Sequence, residues 1–319
     1  MLCNQAANPG IYCVNKVTTK NMMDSELKNY STDFYSLKLS SKQFDKISRL
    51  VYQVSGIDLH EGKEELVKAR LLKRLRHLKL SDFDRYLKYL TNDKSGTEIR
   101  AMVDVLTTNK TNFFRESEHL DFLRDEIVPG FSKGPIRIWS AGCSSGEEPY
   151  SIAIVLSQSV PDIEKRDVRI LATDISDRMM ERAREGLYDG EALRSVPPQL
   201  KHKYFKSVEV GGGRKYRVVP QLQSMVCFAK LNLMEEWPMR GLFDVIFCRN
   251  VMIYFDKPTQ ENLVRRFWSM LREGGHLLVG HSESLTFLAH DYRYLKPAVY
   301  QKVKSPATTH RKPAGSKGK

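Results

Sequence analysis

From residue 136 onward, short apolar runs ending in small or polar residues alternate with longer segments of helical period. The runs are IRIW at 136–139, VRILATD at 168–174, FDVIFC at 243–248 and HLLVG from His276. Between them lie EEPYSIAIVLSQSV, a segment ending near Gly186, and TQENLVRRFWSMLREGG, read as an amphipathic helix closed by its glycines. Strands that are apolar throughout are buried on both faces, and strands separated by helices run parallel. The pattern therefore predicts an α/β, doubly wound, mostly parallel Rossmann-like sheet. In such a sheet, ligands bind at the carboxyl ends of the strands.

The alternation lapses between about 189 and 230. VEVGGGRKYRVV reads there as a hairpin around Gly211–Gly213, and MVCFAKLNL as a return to the sheet, so a small antiparallel β insertion is expected. Upstream, four helical patterns within residues 40–108 predict a small all-α domain. The first carries Phe44, Ile47, Leu50, Val51 and Val54 on one face and stops at Gly56. The second buries Val67, Leu71, Leu75 and Leu78 and sets Arg70, Lys73, Arg74 and His77 on the other side. The third begins at Ser81, and Ser95 with Glu98 reads as a capping box for the fourth. The expected organisation is a flexible extension 1–39, a helical domain 40–108, the α/β domain 109–304 and a basic flexible tail 305–319.

A formal charge of +13 raises the question of nucleic acid, but its distribution argues against that partner. Residues 305–319 and 61–80 contribute +4 each, residues 1–40 and 41–60 about +1 each, and only about +3 remains for 81–304. The basicity sits in one tail and one helix. Five scattered cysteines without a CxxC pair point to a reduced cytoplasm, and eight histidines without ligand spacing predict no metal. No apolar run is long enough for a membrane helix, and no signal peptide is legible at the N-terminus.

The first strand ends in SAGCSSGEEPYS. Gly142 and Gly146 flank a tight turn, and Glu147 and Glu148 open the next helix at its positive end. Two carboxylates there suit a cationic ligand better than a pyrophosphate, although dipole compensation alone would also place them. Asp174 ends the second strand, where an acid accepts from ribose hydroxyls or caps the next helix. With no Walker lysine motif in the chain, the combination favours S-adenosylmethionine over ATP or NAD.

LTTNKTNFFRE, SAGCSSGEEPYSIAI, ATDIS, LNL and FCRNVMIYFD occur in an order that resembles the chemotaxis receptor methyltransferases, the CheR family, from about Ser41 to Val303. The resemblance implies a helical domain joined to an S-adenosylmethionine-dependent methyltransferase domain carrying a β insertion. It implies methyl transfer to glutamate side chains of chemoreceptors, with S-adenosylhomocysteine as the other product. By position, cofactor contacts fall on Asn109, Thr111, Arg115, Glu147, Asp174, Asn232, Leu233, Arg249 and Asn250, with the part of Glu148 left open. Tyr254 is the candidate to position the substrate carboxylate, the alternative being a core tyrosine. Arg70, Lys73, Arg74 and His77 are the expected receptor-docking stripe, a solvated helix face being the plain alternative. Some relatives bind a receptor's C-terminal tail through the insertion, which the glycine-rich hairpin would allow. The expected partner is the receptor's cytoplasmic helical bundle and the expected form a monomer, with neither nucleic acid nor membrane insertion. Two rival readings are a nucleic-acid methyltransferase and a cofactor-binding adaptor without catalysis. CRNVMIYFD lacks the prolines that adenine or cytosine methylation would call for, and the intact polar set speaks against a dead site.

Overall fold

A computed structural model describes residues 37–303. The extension and tail expected at 1–39 and 305–319 lie outside the described residues, apart from 37–39, where Leu37 and Leu39 pack against the core.

Helices α1 (Ser41–Ser55), α2 (Glu64–Leu78), α3 (Phe83–Asn92) and α4 (Thr97–Leu106) form the all-α unit. Ser40 and Gln43 cap α1 reciprocally, and Gly56 ends it in the left-handed conformation. Asp82, not Ser81, caps α3. The expected capping box before α4 is absent: Asp93 accepts from the Glu98 backbone N–H at 2.7 Å, which leaves the Glu98 side chain free to turn into the core.

A short helix α5 (Ser117–Phe122) leads into β1 (Ile136–Ala141), α6 (Glu147–Ser159), β2 (Val168–Asp174) and α7 (Asp177–Glu185). Then come β3 (Leu187–Asp189), α8 (Pro198–Tyr204), β4 (Phe205–Val210), β5 (Gly213–Val218), α9 (Pro220–Gln223) and β6 (Val226–Lys230). The chain closes with β7 (Phe243–Cys248), α10 (Lys257–Met270), β8 (Leu271–Val279), β9 (Arg293–Lys296) and β10 (Val299–Gln301). The seven-stranded sheet runs β6-β2-β1-β7-β8-β10-β9, parallel from β6 through β8 and antiparallel at β10 and β9. β1 and β7 are buried along nearly their whole length, as their apolar runs require.

The insertion is a second sheet of order β3-β5-β4. Gly211 and Gly212, at φ 62° and 76°, form the two-residue turn between β4 and β5, a geometry that β-carbons would strain. The insertion starts two residues earlier than the sequence suggests, at Leu187, and ends before Val226, where β6 rejoins the main sheet. The helix expected to run to Gly275 stops at Met270. Leu271 pairs with Phe243 and is fully buried, so sheet pairing overrides helical continuation and both glycines lie inside β8.

The two units share one core. Ile47, Val51 and Leu71 belong to the same apolar cluster as Trp139, Leu263 and Phe267. Ile57 bridges to Phe255, the Asp58 N–H donates to the Tyr254 carbonyl at 2.8 Å, and Asn232 Nδ2 donates to the Val54 carbonyl at 2.6 Å. The helical unit is thereby fixed over the carboxyl ends of the strands. No helix of the described residues is long and apolar enough to cross a membrane.

Candidate active site

A cavity of about 360 Å³ opens at the carboxyl ends of β1, β2, β6 and β7 and is roofed by the helical unit and the 107–115 linker. That volume falls at the lower end of the range for small-molecule sites. β1 leaves the sheet through Gly142, at φ 90°, where a β-carbon would lie 2.3 Å from a Val251 methyl. The backbone then turns through Ser144, at φ 49°, so that its N–H donates to Asp174 Oδ2 at 2.8 Å. Asp174 Oδ1 accepts from the Ser176 N–H at 2.9 Å, while the Ser176 hydroxyl caps α7. Asp174 is therefore not the helix cap. Asp174 lines the cavity, and burial raises its carboxyl above the ordinary range against the pull of the Ser176 and Ser144 N–H groups.

The linker is tied to the same turn. Ser144 Oγ donates to the Asn109 carbonyl at 3.1 Å, and the Phe114 N–H donates to Ser151 Oγ at 3.0 Å. Asn109, Thr111 and Arg115 line the cavity, Arg115 with Nη1 on the Lys110 carbonyl at 3.0 Å.

At the base lies a buried charge cluster. Arg249 reaches Glu148 and Glu116 at 3.2 Å each and also donates to the Arg115 carbonyl. Ser140 Oγ donates to Glu148 at 2.7 Å, and burial raises the Glu148 carboxyl while Arg249 pulls it down. Glu116 is also pushed up by burial, but Arg249 and Asn250 outweigh this and hold it below the usual range. Of these two carboxylates only Glu148 lines the cavity, so it is the acid of the cluster that can face a cationic ligand. Asn250, at φ 58°, donates from Nδ2 to Glu116 at 3.2 Å.

Of the acids opening α6, Glu148 lines the cavity. Glu147 is buried outside it, accepting from Ser145 Oγ at 2.8 Å. Asn232 and Leu233 line the cavity with Leu231, although the Asn232 side chain is committed to Val54, Glu235 and the Met234 N–H. Tyr254 lines the cavity, and its hydroxyl has no hydrogen-bond partner among the described residues. Lys63, Arg70 and Lys110 also line the cavity, together with Asp58.

The expected docking stripe is not one surface. Arg70 lines the cavity, donating to the Leu106 carbonyl at 2.5 Å and to Thr108 Oγ1 at 2.9 Å. Arg74 is paired with buried Glu98, and only Lys73 and His77 of the four are exposed. Glu116, Glu148 and Glu283 are the polar residues that the sequence reading left without a role. Local spacing held no signal for Glu116 or Glu283, because Glu116 meets Arg249 and Asn250 across more than 130 residues and Glu283 meets the Asn250, Val251 and Ile253 N–H groups across 30 to 33. Glu116, His119 and His281 bring ligand atoms within 4.8 Å of one another among the described residues. Arg249 already neutralises that carboxylate, so a dication would face a fixed guanidinium. Cys248 and Cys143 are fully enclosed and burial pushes both thiols up, opposite to what a nucleophile requires.

Two family models match the chain: the CheR methyltransferase all-alpha domain over residues 42–107 and the CheR methyltransferase SAM binding domain over residues 109–300. A "Probable chemotaxis protein methyltransferase" of Rhizobium etli is 45% identical over 242 residues, covering 74% of this chain and 90% of its own. A chemotaxis protein methyltransferase of Borreliella burgdorferi is 39% identical, covering 84% and 96%. That of Escherichia coli is 41% identical, covering 83% and 92%.

Proposed function

This chain belongs to the CheR methyltransferase family, with S-adenosylmethionine as its cofactor, and from that premise we propose that it methylates glutamate side chains of chemoreceptors. The products are glutamate methyl esters and S-adenosylhomocysteine, formed in the cytoplasm on the receptor's helical bundle.

The cavity fits this cofactor. Asp174 offers acceptors for ribose hydroxyls, Leu231 and Ile175 offer apolar contact, and Glu148 offers a carboxylate to a sulfonium or an ammonium. Asn109, Thr111 and Arg115 of the linker, with Arg249 and Asn250 after β7, line the cavity and would hold the cofactor there. Glu148 takes the part that sequence position gave to Glu147, because it is the acid facing the cavity.

The observation that carries the carboxylate reading is the Tyr254 hydroxyl, which has no hydrogen-bond partner among the described residues and lines the same cavity as Asp174, Glu148 and the cations Lys63, Arg70 and Lys110. Lys63, Arg70 and Lys110 draw an anionic side chain inward and favour its charged form. A glutamate with pKa about 4.3 is already ionised at neutral pH, so no base need remove a proton. Bound S-adenosylmethionine supplies a sulfonium methyl whose C–S electron pair returns to sulfur as the new C–O bond forms. Tyr254 donates to the carboxylate and aims one oxygen at the methyl, at the roughly 3–3.5 Å of a near-attack geometry. Closure by the helical unit removes water from the attacking oxygen.

The test uses labelled S-adenosylmethionine with membranes carrying the host's receptors. Label that alkali releases as methanol is expected on receptor glutamates. Alkali-stable label on protein or nucleic acid, or cofactor binding without transfer, would sink the reading.

A further inference from the structure

The segment after β7 leaves the sheet through a left-handed Asn250 into a single 3-10 turn, Met252–Tyr254, which supplies carbonyls to the N–H groups of Tyr254 and Phe255 but not to those of Asn250, Val251 and Ile253. Buried N–H groups without acceptors are expensive, so something must accept from them. A single carboxylate does. Glu283, 6% exposed and carried on the loop after β8, accepts from the N–H groups of Asn250 at 2.7 Å and Val251 at 2.8 Å. It also accepts from Ile253 at 3.2 Å and from Gly280, at its own end of the loop, at 2.6 Å. Among the described residues no side-chain cation pairs with it; burial raises its carboxyl, and the four N–H dipoles pull against that rise.

The four donors span two loops on neighbouring strands, so the carboxylate clamps the β7 loop to the β8 loop. The clamp is close-fitting: a β-carbon at Gly280 would lie 2.6 Å from Asn250 Nδ2 and 2.8 Å from Glu283 Oε2. The clamped segment carries Arg249, Asn250 and Tyr254. Arg249 and Asn250 have their own side-chain anchors in Glu148 and Glu116, but the Tyr254 hydroxyl has none. The place of that hydroxyl is set by the backbone beneath it.

We infer that Glu283 is a positioning residue for methyl transfer: its carboxylate, by clamping the Asn250–Ile253 backbone to Gly280, fixes where the Tyr254 hydroxyl stands over the cavity. This rests on the role proposed above for Tyr254. An amide at this position keeps one acceptor oxygen and turns a donor toward the remaining N–H groups, which loosens the turn without emptying the space.

The test is a double-mutant cycle of Glu283→Gln and Tyr254→Phe, with fold checked by near-UV circular dichroism and S-adenosylhomocysteine affinity by calorimetry. Glu283→Gln is expected to stay folded, keep that affinity within about threefold and lower receptor kcat at least about tenfold. The double variant is expected to be no slower than the slower single one, because both remove the same positioning. A wild-type kcat in Glu283→Gln beside a slow Tyr254→Phe overturns the inference alone. So do effects that multiply, or a loss confined to cofactor affinity. A wild-type rate in Tyr254→Phe overturns the parent reading and takes this one with it. If Glu283→Gln does not fold, Glu283→Asp enters the same cycle, and failure of both to fold assigns Glu283 a purely structural role.

Discussion

Arg74 meets Glu98 through two parallel bonds, Nε to Oε1 at 2.9 Å and Nη2 to Oε2 at 2.5 Å, in a setting that leaves only 5% of the Glu98 side chain exposed. The Tyr86 hydroxyl donates to the same carboxylate at 2.9 Å. The pair joins α2 to α4 inside the helical unit, so Arg74 holds the fold together and does not stand free to greet a receptor. Removing one partner of a buried pair leaves the other charge uncompensated. Arg74→Leu is therefore expected to lower unfolding free energy by about 3 kcal/mol. Urea denaturation measures it, and a change within about 0.5 kcal/mol would class the pair with solvent-exposed ones.

Of the four basic residues expected to dock on a receptor, Lys73 and His77 are the exposed ones, so the docking proposal is tested on them. Replacing both with Glu is expected to slow receptor methylation and flatten its salt dependence, while S-adenosylhomocysteine affinity stays unchanged. Rim charges act over a screening length of about 8 Å at physiological salt. Equal receptor rates across a salt series would leave these residues as a solvated face.

Asp174→Ala removes the acceptor expected to hold the ribose hydroxyls. A hydrogen bond to a charged group is worth about 1.5–3 kcal/mol, so S-adenosylhomocysteine should bind roughly tenfold to a hundredfold more weakly. Calorimetric titration of the folded variant decides it. Unchanged affinity would confine Asp174 to tying the Ser144 and Ser176 backbone.

Tyr254→Phe should lower kcat far more than it changes cofactor affinity, because a positioning hydrogen bond is lost and no proton transfer is abolished. Wild-type turnover of receptor would make the tyrosine a wall residue only.

His119 is 1% exposed, and among the described residues neither ring nitrogen has a hydrogen-bond partner, the Glu116 carboxylate lying 3.5 Å from Nδ1. Burial, and then the Arg249 charge, lowers its pKa to about 3. The unfolded chain takes up this proton near pH 6.5 and the folded one only near pH 3, so stability from the neutral ring is lost as pH falls through that window. The slope approaches about 1.4 kcal/mol per pH unit. Urea unfolding at pH 7, 6 and 5 should show the wild type losing stability faster than His119→Leu. Parallel lines would mean that the ring is protonated in the fold.

Local chemistry alone determined a good deal. Apolar runs separated by helical periods made a parallel sheet, and a parallel sheet places its ligand at the carboxyl ends of its strands, where Asp174, Arg249 and Asn250 stand. The glycine pair at 211 and 212 made its hairpin because the turn needs positive φ at both positions. Tertiary structure decided whatever turned on which way a side chain faces. Adjacent helical residues point about 100° apart, so the docking of α6 against β1, not the pattern GEEPYS, selects Glu148 over Glu147 for the cavity. The basic face of α2 divides for the same reason: Arg74 finds Glu98, Arg70 finds the linker carbonyls, and Lys73 and His77 find none of these. Leu271 left its helix because pairing with Phe243 buries it fully, a gain that exists only once β7 lies alongside. Glu283 carries no local mark at all, since the N–H groups it satisfies lie up to 33 residues away and become donors without acceptors only when β7 has ended beside β8.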